Sequence, residues 1–430
     1  MSAAAARAAY STLLRAATPL YLARLIWRGR HEPLYRHALG ERLGFGPPDT
    51  TPGRLWLHAV SLGETRAAAA LVDALRAREP ALRLLLTHGT ATGREAGRAL
   101  LRDGDVQAWL PYDTPGAVRR FLRRFRPAAG VLMETETWPV LLHEAGAAGV
   151  PLVLANARLS ERSLKKGRRL GALMREAGAA FTRVLAQTED DARRLREAGA
   201  RDVEVMGNLK FDMAPDEAQL AAGRAWRAQQ SRAVVLAAST REGEEAPLLD
   251  AWCALPASPA PRPLLLLVPR HPQRFDEVAA LVAARGLSLV RRSATAGPAT
   301  LPPADGDVLL GDSLGEMALY YAAADAALLG GSFAPLGGQN LIEAAACGCP
   351  LVMGPHTFNF AQAAQMAQAA GAARRVSGLA EGVACALALL GERDAVAARA
   401  LAFAGAHRGA AARMADAVVG LLRRAAARAA

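Results

Sequence analysis

At 430 residues, 52% of them hydrophobic, the chain is long enough for two domains with sizeable cores, which excludes a disordered protein. A formal charge of +12 indicates anionic partners. Aromatic residues make up only 5%, and zinc-finger or aromatic-basic RNA motifs are missing, so no nucleic-acid partner is expected. The four cysteines are scattered apart from Cys347 and Cys349, which indicates a reducing compartment and no structural metal.

The N-terminal segment, residues 1–30, is predicted to be membrane-associated. Tyr10–Trp27 is apolar, but Arg15, Pro19 and Arg24 interrupt it, so no uncharged run approaches the ~20 residues that cross a bilayer. Its Tyr, Trp and Arg residues suit a helix that lies in the membrane interface and contacts anionic lipid headgroups. A helix packed on the surface of a domain is the alternative.

Short apolar runs alternate with helical stretches through residues 31–212. Alternation of this kind is typical of βαβ units and a parallel sheet, so we predict a Rossmann-like domain. The predicted strands are Arg54–Val60, Leu82–Thr87, Val106–Leu110, Gly130–Met133 and Pro151–Ala155, with helices at Thr65–Arg78 and Thr114–Phe125.

A polar segment without a strand, residues 213–230, is predicted to be a linker, and the alternation then restarts. Residues 231–430 predict a second Rossmann-like domain that also holds the C-terminal helices. Two doubly wound domains facing a cleft would bind ligands beyond the carboxyl ends of their strands. The predicted strands of this second domain are Ala233–Ala238, Pro263–Val268, Leu287–Arg291, Val308–Gly311, Ala326–Leu329 and Pro350–Met353.

In the first domain, carboxylates follow two predicted strands. Glu64 lies where a helix begins, and a helix N-terminus favours a negative charge by ~0.3–1 kcal/mol, so capping and catalysis both stay open for it. Glu134 enters a proline-containing turn, where a buried carboxylate costs free energy unless it is paired or used. Lys210 is one of three lysines among 52 Lys and Arg residues, which indicates either chance or a position that needs a point charge.

In the second domain, cations and glycines follow the strands. Arg270 and His271 stand between two prolines, and Gly331 and Ser332 follow the strand at Ala326–Leu329. Glycines at such positions let backbone N–H groups approach a phosphate.

Glu343, one turn into the helix that follows, could accept hydrogen bonds from ribose hydroxyls. These positions predict a nucleotide site, and together with the carboxylates at the strand ends of the first domain they suit glycosyl transfer from a nucleotide-activated sugar. No Asp-x-Asp motif accompanies the nucleotide loops, so no metal is expected.

Several motifs resemble those of the 3-deoxy-D-manno-octulosonic acid (Kdo) transferases of Gram-negative bacteria, in order and spacing. They include HAVSLGE, METETWP, GNLKFD, LVPRHPQRF, GDSLGE and GGQNLIEAA. The resemblance covers almost the whole chain. It implies a GT-B fold and an inverting transfer of Kdo from CMP-Kdo to a lipid A precursor, lipid IVA, at the cytoplasmic face of the inner membrane, without metal or other cofactor.

The resemblance also implies roles for individual residues. Glu64 matches the general base of the family, and Glu134 and Lys210 match residues that stabilise the transition state. The family's CMP contacts correspond to Arg270, His271, Leu314, Gly315, Glu316, Asn340, Leu341, Ile342 and Glu343.

The chain departs from the family pattern near both substrates. The departures are Thr137, Val140, Arg241, Gln339, Leu341 and Ile342. Two other functions fit the same architecture and charge: a nucleotide-sugar epimerase, which needs no acceptor, and a non-catalytic protein that binds anionic lipid.

Overall fold

The chain folds into two compact units. The computed structural model describes residues 2–49, 51–256, 262–295, 297, 299–303 and 305–429. The first unit contains residues 1–212 together with 408–430, and the second contains residues 213–407. Both are α/β units with a sheet of parallel strands, as the sequence predicts.

The sheet of the first unit has the order β3-β2-β1-β4-β5-β6-β7, and all its pairings are parallel. The order reverses between β1 and β4, the point at which doubly wound sheets bind ligands. The strands are β1 (Leu55–His58), β2 (Leu84–His88), β3 (Val106–Trp109), β4 (Ala129–Met133), β5 (Leu152–Ala157), β6 (Arg183–Ala186) and β7 (Val203–Val205).

Hydroxyl side chains begin several helices of the first unit. Ser61, Thr90, Ser160 and Thr188 each accept a hydrogen bond from the backbone N–H three residues on, the usual N-cap arrangement. The helices before the second unit are α1 (Ala3–Arg28), α2 (Leu62–Arg78), α3 (Ala91–Gly97), α4 (Pro115–Phe125), α5 (Pro139–Ala147), α6 (Glu161–Arg169), α7 (Ala172–Ala179) and α8 (Glu189–Glu197).

The sheet of the second unit has the order β10-β11-β9-β8-β12-β13-β14, again with parallel pairings. Its order reverses between β8 and β12. The strands are β8 (Val234–Thr240), β9 (Leu264–Pro269), β10 (Leu289–Arg291), β11 (Val308–Leu310), β12 (Ala326–Leu329), β13 (Leu351–Met353) and β14 (Ala373–Arg375). The helices are α9 (Glu217–Ala228), α10 (Glu245–Cys253), α11 (Phe275–Ala283), α12 (Met317–Ala322), α13 (Leu341–Ala346), α14 (Ala361–Ala369), α15 (Leu379–Leu389) and α16 (Arg393–Ala406).

The predicted linker, residues 213–230, is instead largely helical and part of the second unit. Helix α9 buries Leu220 and Trp226, and the Trp226 indole donates to the Pro302 carbonyl at 2.8 Å. A side chain at Gly223 would meet the Leu319 carbonyl oxygen at 2.4 Å, so glycine permits close packing on α12. The polar composition of this segment reflects only its solvent-facing side.

The last helix, α17 (Ala410–Ala429), belongs to the first unit, which corrects its predicted place in the domain at 231–430. Met414 and Val418 are buried in the same apolar cluster as Leu71 and Leu75 of α2. Both carboxylate oxygens of Asp212 accept backbone N–H groups at the start of α17. Two contacts with residues distant in sequence therefore determine the position of α17. Its apolar face packs on α2, and Asp212 caps its N-terminus.

Helix α1 packs only partly on the first unit. Ala6 and Ser11 are buried, and Arg7 forms an ion pair with Glu176 of α7. No helix in the described ranges is long and apolar enough to cross a membrane. Large apolar side chains of α1 nevertheless stay exposed, namely Leu13, Leu20, Tyr21, Ile26 and Trp27.

Candidate active site

Glu64 and Glu134 follow the two strands at which the first sheet reverses its order. Glu64 lies in the first turn of α2, just after β1, and Glu134 directly follows β4. Because β1 and β4 are paired in parallel, their carboxyl ends meet at one edge. The fold therefore brings together the two carboxylates that the sequence singled out.

Glu64 takes part in a reciprocal cap. Its Oε2 accepts the backbone N–H of Val60 at 2.7 Å, and its own N–H donates to Ser61 Oγ at 3.4 Å. This resembles a capping box, in which the third residue of a helix reaches back to the N-terminus. The capping interpretation of Glu64 is thus structurally real, but it does not exclude a second role.

Burial raises the pKa of Glu64 above its ordinary value, and the negative charges of Glu134 and Glu136 raise it further. The Val60 hydrogen bond and His58 act in the opposite direction without cancelling the shift. Since a base works best with a pKa near the operating pH, the shift makes Glu64 better suited to accept a proton. Its side chain is half-buried, so a substrate can reach it.

Glu134 is buried and held in a sparsely populated backbone conformation. Its φ is +56°, in the left-handed region that a side chain normally avoids. Arg158 Nε donates to its Oε2 at 2.8 Å, and the Arg158 backbone N–H donates to the Glu134 carbonyl at 3.2 Å. Such strain persists where surrounding contacts enforce it, often at functional sites.

Lys210 lies in a short 3₁₀ turn, Leu209–Asp212, that β5 holds in place. Asn156 Oδ1 accepts the backbone N–H of Leu209 at 3.1 Å, and Asn156 itself has φ of +52°. Burial lowers the pKa of Lys210, while the charges of Glu134 and Glu64 act to raise it. The lysine therefore lies within the electrostatic reach of both carboxylates.

A buried histidine completes this end of the sheet. His58 Nδ1 lies 3.1 Å from the Thr87 carbonyl, and its Nε2 lies 3.5 Å from Glu136 Oε2. Glu136 also accepts the Trp138 indole N–H at 2.7 Å. The second glutamate of the ETETWP motif is thus held by a tryptophan and faces a histidine.

In the second unit, a carboxylate fills the nest of backbone amides at the switch point. Glu244 Oε2 accepts the N–H groups of Gly331 and Arg241, at 2.7 and 2.9 Å. Its Oε1 accepts those of Phe333 and Ala334, at 3.0 and 3.1 Å. The sequence predicts that the backbone N–H of Gly331 approaches a phosphate. In the structure this N–H donates to Glu244. Glu244 fixes the loop that follows β12.

Cations gather at the ends of β8 and β9. Burial and the charges of Arg241, Arg270 and Arg274 lower the pKa of His271. Arg274 donates to Glu245 at 2.6 Å. Across the described residues, no carboxylate forms an ion pair with Arg241 or Arg270. These two guanidinium groups are therefore available to an anionic ligand.

The other residues predicted to contact the nucleotide differ in which of their groups are available to a ligand. Glu316 accepts both Arg292 Nε and Nη2, at 3.1 and 2.9 Å, so it holds the loop that contains Gly315. Ser332 is fully buried, and its hydroxyl donates to Leu329 and accepts from Gly354.

In the loop before α13, the backbone rather than the side chains is available to a ligand. Leu341 and Ile342 are buried in the core, so only their backbone faces a ligand. Asn340 caps α13 by accepting the Ile342 N–H at 3.3 Å, and Glu343 lies in the first turn. By contrast, Leu314 is exposed and can offer its side chain to a ligand.

Within the part of the chain that the structure describes, no three His, Cys, Asp or Glu side chains come together in a metal-binding group. Positive charge in the two sites is carried by Arg158, Lys210, Arg241 and Arg270.

Three residues of these sites escaped the sequence-based selection. His58 lies inside an apolar strand and Glu244 in an acidic loop, so neither had a distinguishing signal. Arg158 follows a predicted strand, and that position was the signal that could have found it.

The two sheets and their switch-point sites define the GT-B class. The Anabaena protein HepE in complex with UDP matches with a TM-score of 0.57 and 15% identity, covering 86% of this chain and 99% of that one. The UDP-GlcNAc 2-epimerase of Neisseria meningitidis bound to UDP-GlcNAc matches with a TM-score of 0.57 and 16% identity, covering 86% and 100%. Identities this low show the fold alone.

Sequence comparison identifies the family. Residues 37–213 match the family model of 3-deoxy-D-manno-octulosonic-acid transferase. The chain is 51% identical to the 3-deoxy-D-manno-octulosonic acid transferase of Bordetella pertussis, covering 96% of this chain and 98% of the relative. It is 36% identical to that of Haemophilus influenzae, covering 83% and 84%. The chain belongs to the Kdo transferase family of glycosyltransferases, so the predicted family and GT-B fold are confirmed.

Proposed function

We propose that the protein transfers Kdo from CMP-Kdo to a hydroxyl of a lipid A precursor, lipid IVA, at the cytoplasmic face of the inner membrane. The observation that carries this proposal is the convergence of Glu64, Glu134 and Lys210 at one sheet edge, with the pKa of Glu64 raised and that of Lys210 lowered. Membership of the Kdo transferase family indicates that the transferred sugar is Kdo.

In the proposed reaction Glu64 takes the proton of the acceptor hydroxyl. The hydroxyl oxygen then bonds to the anomeric carbon of Kdo, and the bond to the CMP phosphate breaks with its electron pair on the phosphate. Glu134 stabilises positive charge that develops on the sugar, and the Lys210 ammonium balances negative charge. A half-buried lysine within electrostatic reach of Glu134 and Glu64 keeps this balance at little reorganisation cost.

The second unit contributes the donor contacts. Arg270 and Arg241 neutralise the CMP phosphate, beside His271. The backbone at Gly315 and Asn340–Glu343 contacts the nucleoside. Neutralisation by guanidinium groups makes a divalent cation unnecessary in this proposal.

The exposed apolar side chains of α1 support binding in the membrane interface. Trp27 and Tyr21 belong to the residue types that favour the headgroup region, and Arg24 and Arg28 suit anionic lipid headgroups. The helix thus brings the enzyme to its lipid substrate.

Incubation with CMP-Kdo tests the proposal. We expect CMP release that requires a tetraacylated disaccharide bisphosphate acceptor and continues in EDTA. Consumption of CMP-Kdo without acceptor would indicate an epimerase or hydrolase. Lipid binding without CMP release would indicate a non-catalytic protein, and loss of turnover in EDTA would contradict the metal-free mechanism.

A further inference from the structure

An apolar cavity of about 370 Å³ lies inside the first unit, among β5, β6, α6, α7 and the end of α8. Its volume falls in the range of ~300–1,000 Å³ that is typical of small-molecule sites. Its lining includes the apolar side chains of Leu154, Leu164, Met174, Phe181, Val184 and Leu195, together with polar side chains such as Thr137, Ser163 and Glu197.

The cavity adjoins the candidate catalytic residues. Thr135, the residue after Glu134, lines it, and so does Arg158. Arg158 Nε donates to Glu134 Oε2 at 2.8 Å, so one arginine forms both the wall of the cavity and the partner of the catalytic carboxylate. A ligand in the cavity therefore lies beside the site of transfer.

Cations surround the mouth of the cavity. The side chains of Arg158 and Arg168 are half or more exposed, and Arg175 is exposed as well. Arg168 forms an ion pair with Glu197, which links α6 to α8 at the cavity wall. The lining thus combines apolar side chains with arginines that also reach solvent.

Helix α6 covers this cavity with one face and presents a basic second face. Leu164 is its single buried side chain, and Gly167 also lines the cavity. The outer face carries four exposed cations, Arg162, Lys165, Lys166 and Arg169, around a surface depression that Glu161 also lines. Two of the three lysines of the chain lie here, as point charges suited to phosphate.

We propose that the cavity holds an acyl chain of the anionic acceptor lipid, with a lipid phosphate on the basic face of α6. This inference rests on the proposed function. An acyl chain gains free energy by leaving water for the leucine, methionine and phenylalanine side chains of the lining. The surrounding cations match the phosphates of an anionic lipid and disfavour a cationic one.

Filling the cavity tests the proposal. A Cβ added at Gly167, which lines the cavity, would meet no atom within 4 Å, so Gly167→Leu adds apolar volume at the cavity wall. We expect kcat/KM for the tetraacylated acceptor to fall by about 10- to 200-fold, the effect of methylene-scale misfits in apolar pockets. Activity on the fully deacylated disaccharide bisphosphate should stay unchanged.

Gly405→Leu is the matched control. Gly405 lies in α16, is exposed, has the same free space around it and does not line the cavity. It should leave both activities unchanged. Equal losses on the acylated and deacylated acceptors in Gly167→Leu, or no loss on either, would overturn the proposal.

A second measurement does not depend on turnover. Lysophosphatidic acid with a diazirine at the end of its chain should crosslink to Met174, Leu164 or Phe181, and unlabelled tetraacylated acceptor should reduce the labelling. Labelling confined to α1 would overturn the cavity proposal. If labelling occurs in the cavity while wild-type protein releases no CMP, the proposed function fails and the acyl site stands.

Discussion

Glu64 and Glu381 hold the same position in two helices, but their pKa values shift in opposite directions. Each is the third residue of its helix and accepts the backbone N–H that precedes the N-cap, from Val60 at 2.7 Å and from Ser377 at 2.8 Å. Hydrogen bonds from Ser377 lower the pKa of the exposed Glu381, whereas burial raises that of Glu64. The same helix position in different surroundings thus gives the two carboxylates opposite pKa shifts.

Glu64→Gln should lower kcat by about 10²- to 10⁴-fold, the usual contribution of a general base. CMP affinity, measured by calorimetry, should not change, because Glu64 lies outside the donor contacts. Glu381→Gln is the matched control: it removes a charge from the same position of an exposed helix end and should leave kcat unchanged. Similar losses of kcat in Glu64→Gln and Glu381→Gln would indicate that Glu64 only caps its helix.

The pH profile of kcat/KM should be bell-shaped. Activity rises as Glu64 loses its proton, and because burial raises its pKa, this limb lies above the ordinary 4.5 of glutamate. Activity falls as Lys210 becomes neutral, and because burial lowers its pKa, this limb lies below the ordinary 10.5 of lysine. In Lys210→Arg the alkaline limb should move to higher pH, since arginine stays charged. An unmoved alkaline limb would exclude Lys210 as its source.

Asn156 should act as a positioning residue for Lys210. Asn156→Gly keeps the left-handed backbone but removes the acceptor of the Leu209 N–H, a loss of about 1–3 kcal/mol for a buried donor. We expect lower kcat with unchanged CMP affinity, and recovery in Asn156→Asp, which restores an acceptor oxygen. A variant that only melts earlier, with kcat intact, would show a purely structural role.

Glu244 should control donor affinity through the loop that contains Gly331. In Glu244→Gln, an NH₂ group replaces one oxygen and faces two backbone N–H groups, at about 1–3 kcal/mol for each unpaired donor. Calorimetry should show weaker CMP binding. Exposed Glu242 in the same loop provides the control, because Glu242→Gln touches none of these contacts. Unchanged CMP affinity in Glu244→Gln would refute the assignment.

Helix α1 should mediate binding to membranes. The double change Leu20→Ser and Trp27→Ser removes two exposed apolar side chains, so less protein should sediment with anionic phospholipid vesicles. Leu401→Ser, at an exposed apolar position of α16, is the control. Equal sedimentation of both variants and the wild type would contradict a role for α1.

The sequence predicted what depends on local pattern. Apolar strands such as β1 and β4 were found, and so was the position of Glu64 and Glu134 after them, but only the pairing of β1 with β4 shows that the two carboxylates lie at one edge. The edge strands β7 and β14 read Val-Glu-Val and Ala-Arg-Arg, too short and polar to stand out. The pairing of Arg158 with Glu134, and of α17 with α2, depends on tertiary contacts that no local pattern encodes.

The place of α17 has a consequence for synthesis on the ribosome. Leu71 and Leu75 on the apolar face of α2 pack with Met414 and Val418 of α17. Helix α17 is translated only after the whole of residues 213–407. At ~5–20 residues per second, that wait is on the order of 10–40 s. During this interval the nascent first unit exposes leucine-rich surface, so we expect it to depend on chaperones until translation passes residue 429. The unit that holds Glu64 thus matures last, although it is made first.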